Sequence, residues 1–164
     1  MDIIKVFCES HDALRCELEA LAEPFKREYD VGWDDCLVLD KKSLLRDISA
    51  FIRDFKKHES EEDGFLAEVA GLLNLDADTV AVFAEGRRSL REYMQIFGAV
   101  AFVYDGVHVH RVREIITCLR AELGPHLAYE EKILFPLLRE RLPARLLVEY
   151  GREVARGNTT AASA

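Results

Sequence analysis

The stretch His126-Leu-Ala-Tyr-Glu-Glu-Lys-Ile-Leu-Phe-Pro-Leu-Leu138 carries two signals at once. Its apolar residues recur at three- and four-residue steps, the period of an amphipathic helix. Yet His126 and Glu130 occupy stripe positions where that period expects an apolar side chain. Followed backward, the stripe runs Val109, Val112, Ile116, Leu119, Leu123, His126, Glu130, Ile133, Leu137. Gly124-Pro125, immediately before the polar positions, predicts a kink or a restart of the helix.

Three further stripes of the same period lie upstream. The first is Ile4, Phe7, His11, Leu14, Leu18, Leu21, Phe25. The second is Leu44, Ile48, Phe51, Phe55, His58, Glu62, Phe65, Val69, Leu73. The third is Phe83, Gly86, Leu90, Tyr93, Phe97, Val100, Tyr104. Breaks fall at Tyr29 to Asp40, at Asn74 to Asp78 and at the turn Asp105-Gly106, with Asp40 and Asp76 or Asp78 as candidate caps. A short extra helix is expected from Arg145 to Val154. Four long helices with short connections predict an all-α, up-down-up-down four-helix bundle over residues 1–156, followed by a flexible tail, 157–164. No sustained β alternation competes with it.

His11, His58, Glu62, His126 and Glu130 are polar residues on inward stripes. His58 with Glu62, and His126 with Glu130, stand one helical turn apart and so share a face. Buried imidazoles and carboxylates are expensive unless paired or bound to a metal. Nitrogen and oxygen donors in this mixture suit iron. Helix rise tests whether they meet: at about 1.5 Å per residue, His11 and His58 lie at matching heights either side of a first turn near residue 35. The same arithmetic brackets residues 84–94 of the third helix, with Gly86 on its inward stripe. His108 and His110 fall at the far end of the bundle and read as surface or turn residues.

The sequence resembles the hemerythrin-like proteins of the HHE cation-binding type. Glu9-Ser-His-Asp-Ala-Leu-Arg15 is similar to that family's first histidine helix, His58-Glu-Ser-Glu-Glu62 to its second-helix HxxxE, and 126–138 to its last-helix motif almost throughout. The likeness runs from residue 3 to about 150. It implies a hemerythrin-like bundle around a non-haem di-iron centre, with two ions, or one. His11, His58, Glu62, His126 and Glu130 would be the ligands, Glu62 and Glu130 bridging. In one respect the chain departs from the family: the third-helix histidine position is Gly86, in Glu85-Gly-Arg-Arg-Ser-Leu90. Glu85 could supply a carboxylate instead, and Glu59 or Tyr93 could approach. Otherwise the position is left to water, or one metal is held alone.

The remaining composition limits the partners. Of 164 residues, 22 are basic and 30 acidic, a formal net charge of -8, which gives no electrostatic case for nucleic acid or an anionic membrane. Arg87-Arg88, Lys41-Lys42 and Lys56-Lys57 read as solvated helix faces. Cys8, Cys16, Cys36 and Cys118 form no CxxC pair, and without a leader-like start the expected setting is the reduced cytoplasm. No protein partner is legible. The residues leave open a protein that binds or senses dioxygen, peroxide or nitric oxide, an iron-dependent peroxide-consuming oxidoreductase, and a structural bundle with a degraded metal site.

Overall fold

The computed structural model describes residues 1–26, 41–73, 75, 77–102 and 109–157, and these form helices without strands. The helices are α1 (Ile3–Lys26), α2 (Lys41–Leu73), α3 (Ala77–Phe102), α4 (Val109–Tyr129), α5 (Phe135–Arg141) and α6 (Ala144–Ala155), with a π-helical turn, Glu130–Leu134, joining α4 to α5. The caps expected at Asp40 and Asp76, the Asp105-Gly106 turn, Cys36, His108 and the tail beyond Gly157 lie outside the described residues, as does the side chain of Asp78.

The stripes of α1 and α2 are buried as their spacing requires, from Ile4 to Phe25 and from Leu44 to Leu73. Helix α1 packs on α2 and α4, and α3 packs on the same two. Cross-helix contacts give the directions. Along α1 from Phe7 to His11, the ring partners on α2 step back from Phe65 to His58. Partners on α4 and its extension step back from Glu131 to Arg120 as α1 advances from His11 to Glu19. Glu59 pairs with Arg91 while Glu62 pairs with Arg87, so α2 and α3 are antiparallel too. The four long helices therefore close a bundle.

Two features of the last helix differ from the simple stripe. Helix α4 runs through Pro125 to Tyr129 without restarting. Beyond it, the π turn widens the winding by one residue, so the buried face shifts from Ile133 and Leu137 to Leu134 and Leu138. Ile133 is 49% exposed, whereas Leu134 is 2% and Leu138 0% exposed.

Local chemistry sets the chain's other bends. Asp2 accepts a hydrogen bond from the Ile4 N–H at 2.8 Å, capping α1. Pro143 holds Leu142 extended and ends α5. Gly157 takes a φ of 68° after α6, a conformation suited to glycine. Helix α6 then lies against α1, where Gly151 is buried against the backbone of Met1 to Ile3. A methyl group there would sit 2.7 Å from the Ile3 nitrogen.

The core has two apolar parts. One gathers Leu14 to Phe25, Leu44 to Phe55, Leu90 to Phe97 and Val112 to Leu127. The other gathers Ile3 to Phe7, Phe65 to Leu73, Leu134 to Leu142 and α6. A polar layer of His11, His58, Glu62, Arg87 and Glu130 belongs to neither.

Gly151→Ala is expected to destabilise the chain by about 1–3 kcal/mol, because backbone rather than a movable side chain blocks the methyl. Gly71→Ala, on α2 with open space around it, should stabilise by up to about 1 kcal/mol. Denaturant unfolding of both variants measures the contrast.

Candidate metal centre

His11 of α1, His58 of α2 and Glu130 at the start of the π turn each offer a ligand atom, all within 4.8 Å of one another, and all three residues are buried. The rings of His11 and His58 stand edge to face with centroids 4.8 Å apart, as helix rise required. Phe7 and Phe135 close around them, at 5.9 Å from the His58 ring and 5.3 Å from the His11 ring.

Polar atoms converge here, paired in charge but without aligned hydrogen bonds. His11 Nε2 lies 3.2 Å from Glu130 Oε2, and His126 Nε2 lies 2.9 Å from Glu130 Oε1. Neither approach has hydrogen-bond alignment: His11 Nε2, both Glu130 oxygens, His58 Nδ1 and Glu62 Oε1 are buried without a hydrogen-bond partner. Native interiors rarely leave such groups orphaned. A cation bound among them would satisfy them, so the donor set fits a metal.

The orientation of His11 fits the same purpose. Its Nδ1 lies 2.9 Å from Glu131 Oε1, and Arg15 Nη2 holds that same oxygen at 2.7 Å. With Nδ1–H donating to Glu131, the lone pair of Nε2 faces the cluster, the usual outer support of a metal-binding imidazole. The Glu131 carboxyl lies below its ordinary range; burial pulls it up, but His11 and Arg15 outweigh that pull. Residue spacing alone had pointed to Glu130, not to its neighbour. The π turn explains the addition, since its looser winding lets two consecutive carboxylates reach one imidazole.

Gly86 faces the site, but as a space rather than a ligand. A Cβ built there would stand 2.8 Å from His126 Nδ1. The His126 ring fills the room that glycine leaves and stacks on Phe83 at 5.9 Å. Glu85, one position earlier, points away: its side chain is 62% exposed and accepts a hydrogen bond from Arg88 at 2.6 Å. The substitute carboxylate expected of Glu85 is thus not brought to the cluster. Glu59 pairs with Arg91, and Tyr93 packs against the apolar core. His110 lies in the first turn of α4, the opposite end from His126.

Arg87 overturns its reading as part of a solvated basic face. It is 5% exposed, whereas Arg88 beside it is exposed. Its Nη2 donates to Glu62 Oε2, its Nη1 pairs with Asp63 Oδ1, and its guanidinium lies 4.2 Å over the Phe83 ring. Only its position, one residue past an inward glycine beside two acidic helix faces, could have signalled this. Cys8, Cys16 and Cys118 are free thiols, Cys16 and Cys118 exposed.

Burial and charge set the protonation of the metal-free cluster. Burial, with His11 nearby, holds His58 down to about 3, so its imidazole is neutral and fit to bind a cation. Burial and the charge of Glu130 push Glu62 up to about 8, against the pull of Arg87. Burial also pulls Glu130 upward, but His11 and His126 outweigh it and hold this carboxylate below its ordinary range.

Compared with models of known protein families, with curated proteins and with solved structures, the chain matches none. No described helix is long and apolar enough to cross a membrane.

These shifts predict the stability of the metal-free chain against pH. Unfolded His58 takes up its proton below its ordinary 6.5 while the folded residue waits until about 3, so acid favours unfolding across that window. Glu62 works oppositely: it loses its proton near 4.5 when unfolded and near 8 when folded, so rising pH favours unfolding between those values. The two effects oppose each other between 4.5 and 6.5, leaving a plateau with falling limbs on either side, the acid one deepened by Glu130. The alkaline limb should slope by at most about 1.4 kcal/mol per pH unit, for one proton, and the acid limb more steeply where His58 and Glu130 act together. In thermal denaturation with chelator present, Glu62→Gln should flatten the alkaline limb and, with nothing left to oppose His58, extend the acid limb upward to about pH 6.5.

Proposed function

We propose that the chain is a hemerythrin-like non-haem iron protein that binds or senses a small ligand such as dioxygen, peroxide or nitric oxide. One observation carries the reading: ligand atoms of His11, His58 and Glu130 converge inside the bundle with no hydrogen bonds among them. A purely structural core would have paired those groups or replaced them with apolar ones.

Iron bound there would supply a redox-active ion with coordination positions open to a small molecule. The chain's own residues do the rest. The neutral imidazoles and the Glu130 carboxylate hold the cation. Glu131 and Arg15 fix the His11 ring. Phe7, Phe135 and the flanking apolar clusters keep water from the site, which favours a small uncharged ligand over a large polar one. A groove of about 840 Å³ between α2 and α3, with Phe83, Arg87, Tyr129 and Leu134 in its wall, supports access from that side. No Gly-rich phosphate loop or separate nucleophile competes for the assignment.

Anaerobic loading with Fe(II) after chelation should give stoichiometric iron and an absorption band that responds to azide, peroxide or nitric oxide. It should also stabilise the fold by about 2.7 kcal/mol at a hundredfold excess over Kd. His11→Ala and His58→Ala should remove that metal-dependent gain. A native chain that takes up no iron, with His58→Leu as stable as the parent or more so, would identify a structural bundle instead. In a separate test, Gly86→Ala should displace the His126 ring and weaken metal binding by about tenfold or more while leaving far-UV circular dichroism unchanged.

A further inference from the structure

We infer that the centre holds one metal ion rather than two, in a two-histidine, one-carboxylate set, and that the Arg87 guanidinium stands where a second cation would sit. The inference rests on the metal reading above and sharpens it. His11, His58 and Glu130 form the convergent set, and neither Glu62 nor His126 joins it. Two histidines and one carboxylate with open positions are the donor pattern of mononuclear ferrous centres that activate dioxygen.

Glu62 is the carboxylate a second ion would need, and it is already taken. Its Oε2 accepts the Arg87 Nη2 hydrogen bond, while His58 Nε2 stays 3.8 Å away. The guanidinium cannot easily withdraw. It is buried, paired on its other arm with Asp63 and covered by Phe83 at 4.2 Å. Arg keeps its charge at any physiological pH, so the cation is permanent. An ion placed on Glu62 would lie against that fixed charge. Arg87 and Arg91 both stand in the wall of the groove between α2 and α3, so that groove presents guanidinium groups, not a ligand, beside Glu62.

The test is anaerobic titration of the chelator-treated full chain with Fe(II), and with Co(II) in parallel, counted by elemental analysis and native mass spectrometry. One ion per native chain is expected. Glu130→Gln should weaken uptake at least tenfold, while Glu62→Gln, which still accepts from Arg87, should change it less than threefold. Arg87→Gln should admit a second, weaker ion, and Arg87→Lys should not. Two tightly held ions in the native chain, or loss of uptake in Glu62→Gln matching that in Glu130→Gln, would overturn the inference while leaving the metal reading in place. An Arg87→Gln chain that folds and still binds one ion would remove Arg87 from the second cation's place. If that variant does not fold, the native count and the Glu62 and Glu130 pair decide. No uptake at all would overturn the metal reading, and this inference with it.

Discussion

A carboxylate with no exposed surface, in the middle of an apolar bundle, cannot remain charged unless something positive or proton-donating stands close. Glu130 is that carboxylate, 0% exposed. Its surroundings are arranged around this constraint. Imidazoles from α1 and from its own helix approach its two oxygens, and a third imidazole from α2 completes the cluster. Each of those imidazoles is then positioned by something further out: His11 by Glu131 and Arg15, His126 by the space at Gly86, and His58 by its ring contacts with Phe7 and His11. The apolar clusters on either side keep the dielectric low, which makes the unmet charge costly and the binding of a cation correspondingly favourable.

The backbone adapts at the same place. The only π-helical turn among the described residues begins at Glu130. Such turns weaken regular helix hydrogen bonding and are common at functional sites. Here the turn does two things. It sets Glu130 and Glu131 against opposite ring nitrogens of His11, and it re-phases the apolar face so that Leu134, Phe135 and Leu138 enter the core. Helix α6, seated against α1 through Gly151, covers the end of the bundle that this re-phased face helps to build.

Much of this was legible in the sequence because the controlling quantity was periodicity. A 3.6-residue period with His11, His58, Glu62, His126 and Glu130 at inward positions led to four buried residues and a partly buried one, His126, on adjoining helices, and rise arithmetic brought His11 level with His58 and Gly86 near the level of His126. What escaped were effects one residue off the stripe. Glu131 is about 100° around the helix from Glu130 and comes to face His11 only because the winding loosens, which no spacing rule reveals. Ile133 lost its inward place for the same reason. Arg87 escaped because a doublet of basic residues ordinarily marks a wet surface, and nothing in Arg87-Arg88 separates the member that is buried from the one that is not. Glu85 was over-read: adjacency to an inward position places a side chain about a quarter turn away, on the solvent side in this case.

Gly86 and Arg87 are best understood together. Gly86 carries no side chain and gives its volume to the His126 ring. The next residue brings a positive charge to the neighbouring carboxylate, Glu62. A glycine alone would have left Glu62 with a buried oxygen and no cation beside it; an arginine alone, without the glycine, would have met His126 displaced from Glu130. Electrostatics sets the scale of the result. Two unit charges 4 Å apart interact by about 4 kcal/mol at an effective dielectric of 20, and a divalent ion doubles it. A repulsion of that size is comparable with the whole stability of a small domain. A guanidinium fixed beside Glu62 therefore makes the two carboxylates of the layer unequal: Glu62 has a permanent cation of the chain beside it, and Glu130 has only imidazoles.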